Sequence, residues 1–330
     1  MTIMVKRRTL LLPALAGAMC PPSPVWAQVT GRMARVGWIT AQRAASLGPY
    51  IATFRAALAD LGRVEGRDLA IEFRYGDDVV ERVPPLIDEL IRLPADVIIA
   101  QGVAVNVIST MNLKVPVVYV TSGDPVASGF AESLARPRPN MTGLTFMSVE
   151  FNGKRLELLR EIVPQLRRVA IIANPEHPGE QNERAFSIDA GKRLGLAVQF
   201  FATRTPDDLT AAFAAMASDP PQGLTLFSDG FAVQNRGRII DAATRLRIPV
   251  LAGWAVFAES GAVCTYGPQL SASYRRLAYY VDRILRGAKP AELPIEQPAT
   301  FEMVVNLKAA QALGITIPPA VLLRADRVIA

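Results

Sequence analysis

Asp96-Val97-Ile98-Ile99-Ala100-Gln101-Gly102 decides the fold. Four consecutive apolar residues, three of them β-branched, end in an amide and a glycine ahead of a helical segment. A strand without polar alternation is buried on both faces, as the inner strand of a helix-covered parallel sheet is. Gln101-Gly102 then falls at the strand's carboxyl end, where open α/β sheets bind ligands. Working outward, Arg35-Val36-Gly37-Trp38-Ile39 reads as a first strand, 49–61 as a helix, 68–75 as a second strand and 80–93 as a second helix. Residues 115–120 supply a fourth strand.

The pattern restarts at 150–163, an amphipathic helix with Leu156, Leu159, Ile162 and Val163 on one side. Strands follow at 168–173, 197–201, 223–227 and 249–251, with helices to about 194, at 207–216 and at 236–246. Residues 270–286 read as a long helix closed by Gly287 and Pro290, and a proline-rich link leads to a last strand at 301–305. The expected fold is α/β: two doubly wound parallel-sheet lobes with a ligand cleft between them. The first lobe takes residues 28–147 plus about 268–298, and the second 148–267 plus about 299–330. The chain crosses between lobes at 140–150.

The N-terminus reads as an export leader. Lys6-Arg7-Arg8, the apolar stretch 9–19 and Val25-Trp26-Ala27 make a basic region, a short apolar core and small residues at a cleavage site after Ala27. Arg7-Arg8-Thr9-Leu10-Leu11 also resembles a twin-arginine signal. Three of the 36 basic residues and none of the 30 acidic ones lie in 1–27, so cleavage lowers the net charge from +6 to +3. That weakens any nucleic-acid reading. Cys264 is alone once Cys20 leaves with the leader, so no intramolecular disulfide is expected. His177 is the sole histidine. Clustered His/Cys zinc sites are therefore out of reach, and the turn-rich Asn174-Pro175-Glu176-His177-Pro178-Gly179 makes it read as an exposed loop residue.

The loops after the strands carry the candidate ligand contacts: Thr40 and Gln42, Gln101 and Gly102, Thr121, Ser122, Gly123 and Asp124, Asn174, Ser228 and Asp229, Trp254, and Tyr266 before Gly267-Pro268. Hydroxyls and a glycine at 121–123 suit a carboxylate held without a cation, or form an ordinary capped turn punctuated by Asp124-Pro125. Asp229 either receives an ammonium or caps the segment beginning near Phe231. Trp254 stacks on a ligand ring or covers the apolar wall, and Tyr266 contacts ligand or packs at the hinge. No Gly-x-Gly-x-x-Gly, Gly-x-x-x-x-Gly-Lys-Ser/Thr or Gly-x-Ser-x-Gly motif occurs in the chain. The reading is therefore of a binding protein without cofactor or metal rather than an enzyme.

Ordered phrases carry a resemblance along essentially the whole mature chain. They are Leu61-Gly62-Arg63-Val64-Glu65-Gly66-Arg67-Asp68, Gly123-Asp124-Pro125-Val126, Asn140-Met141-Thr142-Gly143, Lys154-Arg155-Leu156-Glu157-Leu158-Leu159, Ala173-Asn174-Pro175, Phe301-Glu302-Met303-Val304-Val305-Asn306-Leu307-Lys308, Ile317-Pro318-Pro319 and Arg324-Ala325-Asp326. The sequence resembles the tryptophan-type ABC-transporter substrate-binding family, of the type I periplasmic-binding-protein fold. The resemblance implies a monomeric periplasmic protein that captures a small organic molecule, an amino acid or aromatic carboxylate, by hinge closure. It would deliver that ligand to a membrane permease with a cytoplasmic ATPase. The resemblance puts the carboxylate on Gln101, Thr121 and Ser122 with Asp229 opposite. The first loop, Thr40-Ala41-Gln42-Arg43-Ala44-Ala45-Ser46, departs from the serine-rich segment of relatives. A sensory protein docking on a membrane receptor uses the same clamp. A sugar-repressor-type regulator shares the fold but needs an N-terminal helix-turn-helix where the leader stands.

Overall fold

The computed structural model describes residues 32–146, 149–177 and 179–330. The leader reading falls on 1–27, outside the described residues. The first lobe is built from β1 (Ala34–Thr40), α1 (Ala44–Asp60), β2 (Leu69–Tyr75), α2 (Val83–Arg92), β3 (Val97–Gln101), α3 (Ala104–Ser109) and β4 (Val117–Thr121). A small hairpin, β5 (Ala131–Ser133) and β6 (Arg136–Pro137), precedes β7 (Met141–Thr145). Its sheet runs in the order β2-β1-β3-β4-β7, every pair parallel.

The second lobe follows with α4 (Val149–Ile162), β8 (Arg168–Ala173), α5 (Glu180–Leu194), β9 (Ala197–Ala202), α6 (Pro206–Ser218) and β10 (Gly223–Leu226). Then come α7 (Gly230–Gln234), α8 (Arg236–Arg245), β11 (Val250–Ala252), α9 (Ala255–Glu259) and β12 (Cys264–Pro268). The chain ends with α10 (Leu270–Leu285), β13 (Phe301–Asn306), α11 (Leu307–Ala312), α12 (Pro319–Leu322) and β14 (Arg327–Ile329). The second sheet is ordered β14-β13-β12-β11-β10-β8-β9. It is parallel except where β13 runs antiparallel to β12. That reversal corrects the expectation of purely parallel lobes. β13 returns from the first lobe through the 294–300 link, not through a helical crossover on its own sheet, and so arrives in the opposite sense.

The inner strands are buried on both faces. Val97 and Ile99 face a core shared with Trp38, Phe54 and Tyr274, while Ile98 and Ala100 face Val83, Ile87, Leu90 and Ile108. Each such buried aliphatic contributes about 1.5–3 kcal/mol over exposure. α10 packs on α1, and Tyr274 stacks on Trp38 with centroids 6.2 Å apart. Asp282 of α10 takes Arg63 at 2.7 Å and Arg286 at 2.6 Å, tying it to the end of α1.

Three local readings needed correction. α1 begins at Ala44 rather than 49, because a proline inside the second turn costs one backbone bond and does not have to mark the start. The 80–93 helix is a 3-10 turn (Val80–Arg82) followed by α2, whose first turn holds Pro84 and Pro85. Residues 141–145, read as part of a crossing, form the edge strand β7. Its Gly143 lies so close to β4 that an added Cβ would stand 2.0 Å from the Tyr119 carbonyl oxygen.

The chain passes between lobes after β7, after β12 and before β13. The passages are stitched together where Thr145 N donates to Glu296 O (2.9 Å) and Gln269 N to Thr300 O (3.0 Å). Among the described residues no helix is long and apolar enough to cross a membrane.

Candidate functional site

Strand order reverses between β1 and β3 in the first sheet and between β8 and β10 in the second. The loops at those reversals meet across the cleft, as the rule for open α/β sheets leads one to expect. They line a cavity of about 90 Å³.

On the first lobe a chain of amides fixes the floor. Trp38 Nε1 donates to Gln101 Oε1 (3.3 Å), and Gln101 Nε2 donates to both Gln42 Oε1 (3.1 Å) and Tyr274 Oη (2.8 Å). Thr40 Oγ1 accepts from Gln42 N (3.2 Å) and Thr121 Oγ1 from Gly123 N (3.2 Å). Gly102 sits at φ +63°, the left-handed turn glycine allows after β3. Thr40, Gln42, Gln101, Gly102, Thr121 and Ser122 all line the cavity.

On the second lobe Asn174, Asp229 and Trp254 line it. Asn174 Oδ1 accepts from Glu176 N (3.0 Å), an Asx turn at the end of β8. Asp229 is the N-cap of α7: its Oδ1 accepts from Ala232 N (2.7 Å), while Oδ2 is buried without a hydrogen-bond partner. Burial raises the Asp229 pKa, against a downward pull from His177.

The other four candidates do not line the cavity. Gly123 stands one layer back, its carbonyl taken by the Thr145 hydroxyl (2.6 Å). Asp124 Oδ1 is spent on the Val126 and Ala127 amides at 2.8 and 3.3 Å, the turn punctuation that was the alternative for it. Ser228 contributes its carbonyl, which accepts from Ser122 Oγ across the cleft (2.8 Å). The Tyr266 ring packs on Phe151, and its carbonyl accepts from Arg155 Nε (3.0 Å).

Several lining residues had no signal in the sequence. Tyr50 and Tyr274 form a stacked pair at 5.1 Å, and Phe146 and Phe231 join them in the apolar wall. Their helical or crossing positions gave no reason to place them at a strand end. His177 corrects the exposed-loop expectation, since its relative exposure is 4%. Its Nδ1 accepts from Gly179 N (2.8 Å) and its Nε2 lies 3.3 Å from Glu183 Oε1. Glu183 Oε2 accepts from Asn152 Nδ2 (3.0 Å), and Asn152 Oδ1 accepts from the fully buried Arg155 (2.8 Å). Burial pushes Glu183 up to about 8, Arg155 down to about 10 and His177 below its usual range. Arg155 and Glu183 lie on helices, where charged residues read as solvated surface.

The lobes touch directly. Gln234 Oε1 of α7 accepts from Ser46 Oγ (2.8 Å) and Arg43 N (3.2 Å), and its Nε2 donates to Asp78, which also pairs with Arg43 at 3.0 Å. A Cβ on Gly230 would lie 2.5 Å from the Gln42 side chain, so glycine permits this approach. Among the described residues no group of three His, Cys, Asp or Glu side chains could hold a metal ion.

A family model described as ABC transporter substrate binding protein matches residues 45–329. The tyrosine-binding protein of Clostridioides difficile (strain R20291) is 21% identical over 266 residues, which span 79% of this chain and 75% of that protein. A conserved domain protein from Vibrio cholerae superposes with a TM-score of 0.83 at 23% identity, over 90% of this chain and 100% of that one. The ABC domain from Streptococcus pneumonia in complex with L-Trp gives 0.82 at 20% identity, over 90% and 99%. At these identities the superpositions speak for the fold.

Proposed function

The chain belongs to the ABC transporter substrate-binding protein family, and from that premise we propose that it is an exported, periplasmic receptor for an amino acid, serving a membrane permease driven by a cytoplasmic ATPase. The observation that carries the ligand class is Asp229, a buried carboxylate whose Oδ2 makes no close hydrogen bond and whose polar neighbours are the Asn174 side chain and His177, at a cavity whose opposite wall is hydroxyl and amide. A buried anion is destabilising unless something pairs with it, and an ammonium group supplies that pairing. Thr121 then faces the carboxylate end. The apolar wall of Tyr50, Phe146, Phe231 and Tyr274 suits a large side chain, and relatives named for tyrosine or solved with L-Trp support an aromatic one.

Binding works by closure about the passages between the lobes. We divide the lobes at 28–147 plus about 268–298 and 148–267 plus about 299–330. A ligand that touches both lobes favours the closed form by its extra contacts there. The test is a thermal-shift series on the chain from Gln28 with amino acids, aromatic acids, amines and sugars. A ligand at 100 times its dissociation constant adds about 2.7 kcal/mol, which raises the melting point by roughly 5–11 °C at 2–4 °C per kcal/mol. Shifts confined to aromatic amino acids are expected. Shifts confined to sugars would overturn the reading.

A further inference from the structure

Buried polar atoms without partners are rare in folded proteins, and each one calls for an explanation. Three residues that line the cavity carry such an atom: Asp229 (Oδ2), His177 (Nε2) and Trp254 (Nε1). His177 Nε2 has Glu183 at 3.3 Å, and Asp229 is accounted for by the ammonium reading. The indole N–H of Trp254 has no such account. Trp254 follows β11 at the carboxyl end of the second sheet, is 94% buried, and meets Phe146 edge to face with centroids 5.9 Å apart.

Four donors on the facing lobe are committed. Ser122 Oγ donates to Ser228 O, Gly123 N to Thr121 Oγ1, Gln42 N to Thr40 Oγ1 and Gly102 N to Val120 O. The Thr121 hydroxyl accepts from Gly123 and keeps its own proton to give. An ionised oxygen pair takes up several donors, so a carboxylate seated at Thr121 has room for a further one from the second lobe.

Resting on the amino-acid reading above, we propose that Trp254 is a ligand-binding residue whose indole N–H donates to the ligand's carboxylate, together with the Thr121 hydroxyl of the other lobe. The carboxylate then bridges the lobes, and its second donor is gained only when they are together. Trp254 and Asp229 also set the ligand class as a pair. A primary amine satisfies Asp229 alone, an aromatic acid satisfies Trp254 alone, and an α-amino acid satisfies both. Trp254 thereby acts through its nitrogen, beside whatever stacking or wall-covering its ring provides.

The experiment replaces the indole at position 254 alone with benzothienylalanine, which keeps the ring's size and replaces N–H by sulfur. Trp254→Phe is made in parallel. Calorimetric titration with L-tryptophan and with L-tyrosine gives the readout, and melting curves check folding. A hydrogen bond to a carboxylate is of the strong, charge-assisted kind, so the isostere should weaken the better ligand by about tenfold or more. A loss below fivefold in the isostere overturns the proposal, whatever Trp254→Phe does, because a packing role or an N–H over the Phe146 ring tolerates the sulfur. Wild-type protein that binds neither amino acid would sink the amino-acid reading itself, and this inference with it. The two failures are told apart by the wild-type titration.

Discussion

Asp229 uses its two oxygens differently, and substitutions can separate them. Asparagine caps a helix about as well as aspartate, so Asp229→Asn should keep the bond to Ala232 N and leave the melting point nearly unchanged. It removes the charge that meets the ammonium. Losing one partner of a buried charge pair costs about 2–5 kcal/mol, so amino-acid affinity should fall by about 30-fold or more in calorimetry. Asp229→Ala should lose the same affinity and, in addition, about 1 kcal/mol of stability from the missing cap. Equal binding by the asparagine variant and wild type would assign Asp229 to capping alone.

Glu183 makes a pH prediction. Its carboxyl is pushed up to about 8 from an ordinary value of 4.5, chiefly by burial, with Asn152 and Arg155 pulling it down. Between those values the folded chain keeps a proton that the unfolded chain has lost. Stability therefore falls as pH rises through that window, by at most about 1.4 kcal/mol per unit for one proton. His177 is shifted downward by burial. Below its ordinary range the unfolded chain takes the proton more readily, and stability falls with acidity there. Melting points should decline between about pH 6.5 and 8 and level off above that, and Glu183→Gln should flatten the decline. An unchanged alkaline limb in the variant would show that Glu183 is not the titrating group.

Among the elements, α7 has the largest effect for its length. Five residues long, it puts Gln234 against Ser46, Arg43 and Asp78 of the first lobe. Asp78 holds its contact at φ +68°, next to Asp77 at +53°, a left-handed turn that is costly for residues other than glycine. The Gln234 side chain bonds across to these first-lobe residues, so those bonds exist only while the lobes are together. Each hydrogen bond contributes about 0.5–1.5 kcal/mol net. Three such bonds total about 1.5–4.5 kcal/mol, so Gln234→Ala should weaken ligand binding by about tenfold or more, most of it as faster release in stopped-flow traces. Unchanged release would mean that the α7 contacts do not hold the closed form.

The elements also show which signals a sequence carries. β3, β4, β8 and β10 were legible because inner parallel strands are apolar on both faces. β12 and β14 were not, since Cys264-Thr265-Tyr266-Gly267-Pro268 and Arg327-Val328-Ile329 have no distinctive period. β7 was hidden by Gly143, a residue that ordinarily weakens a strand and is required here by the close approach to Tyr119.

For the molecule as a whole, the proposed closure would turn on the passages where the chain changes lobes, after β7, after β12 and before β13. Thr145 and Gln269 bond to the returning segment there, while neither lobe's sheet continues into the other. Rigid lobes on such a hinge should compact when ligand joins them. Small-angle scattering should show a smaller radius of gyration at saturating ligand than without it. Identical curves would remove closure from the mechanism.

The sequence by itself determined the two α/β lobes, the strand ends that face the cleft and nine of the residues around the cavity, Thr40, Gln42, Gln101, Gly102, Thr121, Ser122, Asn174, Asp229 and Trp254. Those follow from period and position along the chain, which local physics fixes: an apolar run makes a buried strand, and the residue after it lies at the sheet's edge. Tertiary structure alone decided that Tyr50 and Tyr274 meet at the cleft, that His177 is buried against Glu183, and that Arg155 lies in the interior. It also placed Asp124 in its turn and the Tyr266 ring against Phe151, rather than in the cavity lining. These depend on which helix face a lobe covers and on what stands across the cleft, and no local pattern encodes a partner a hundred residues away.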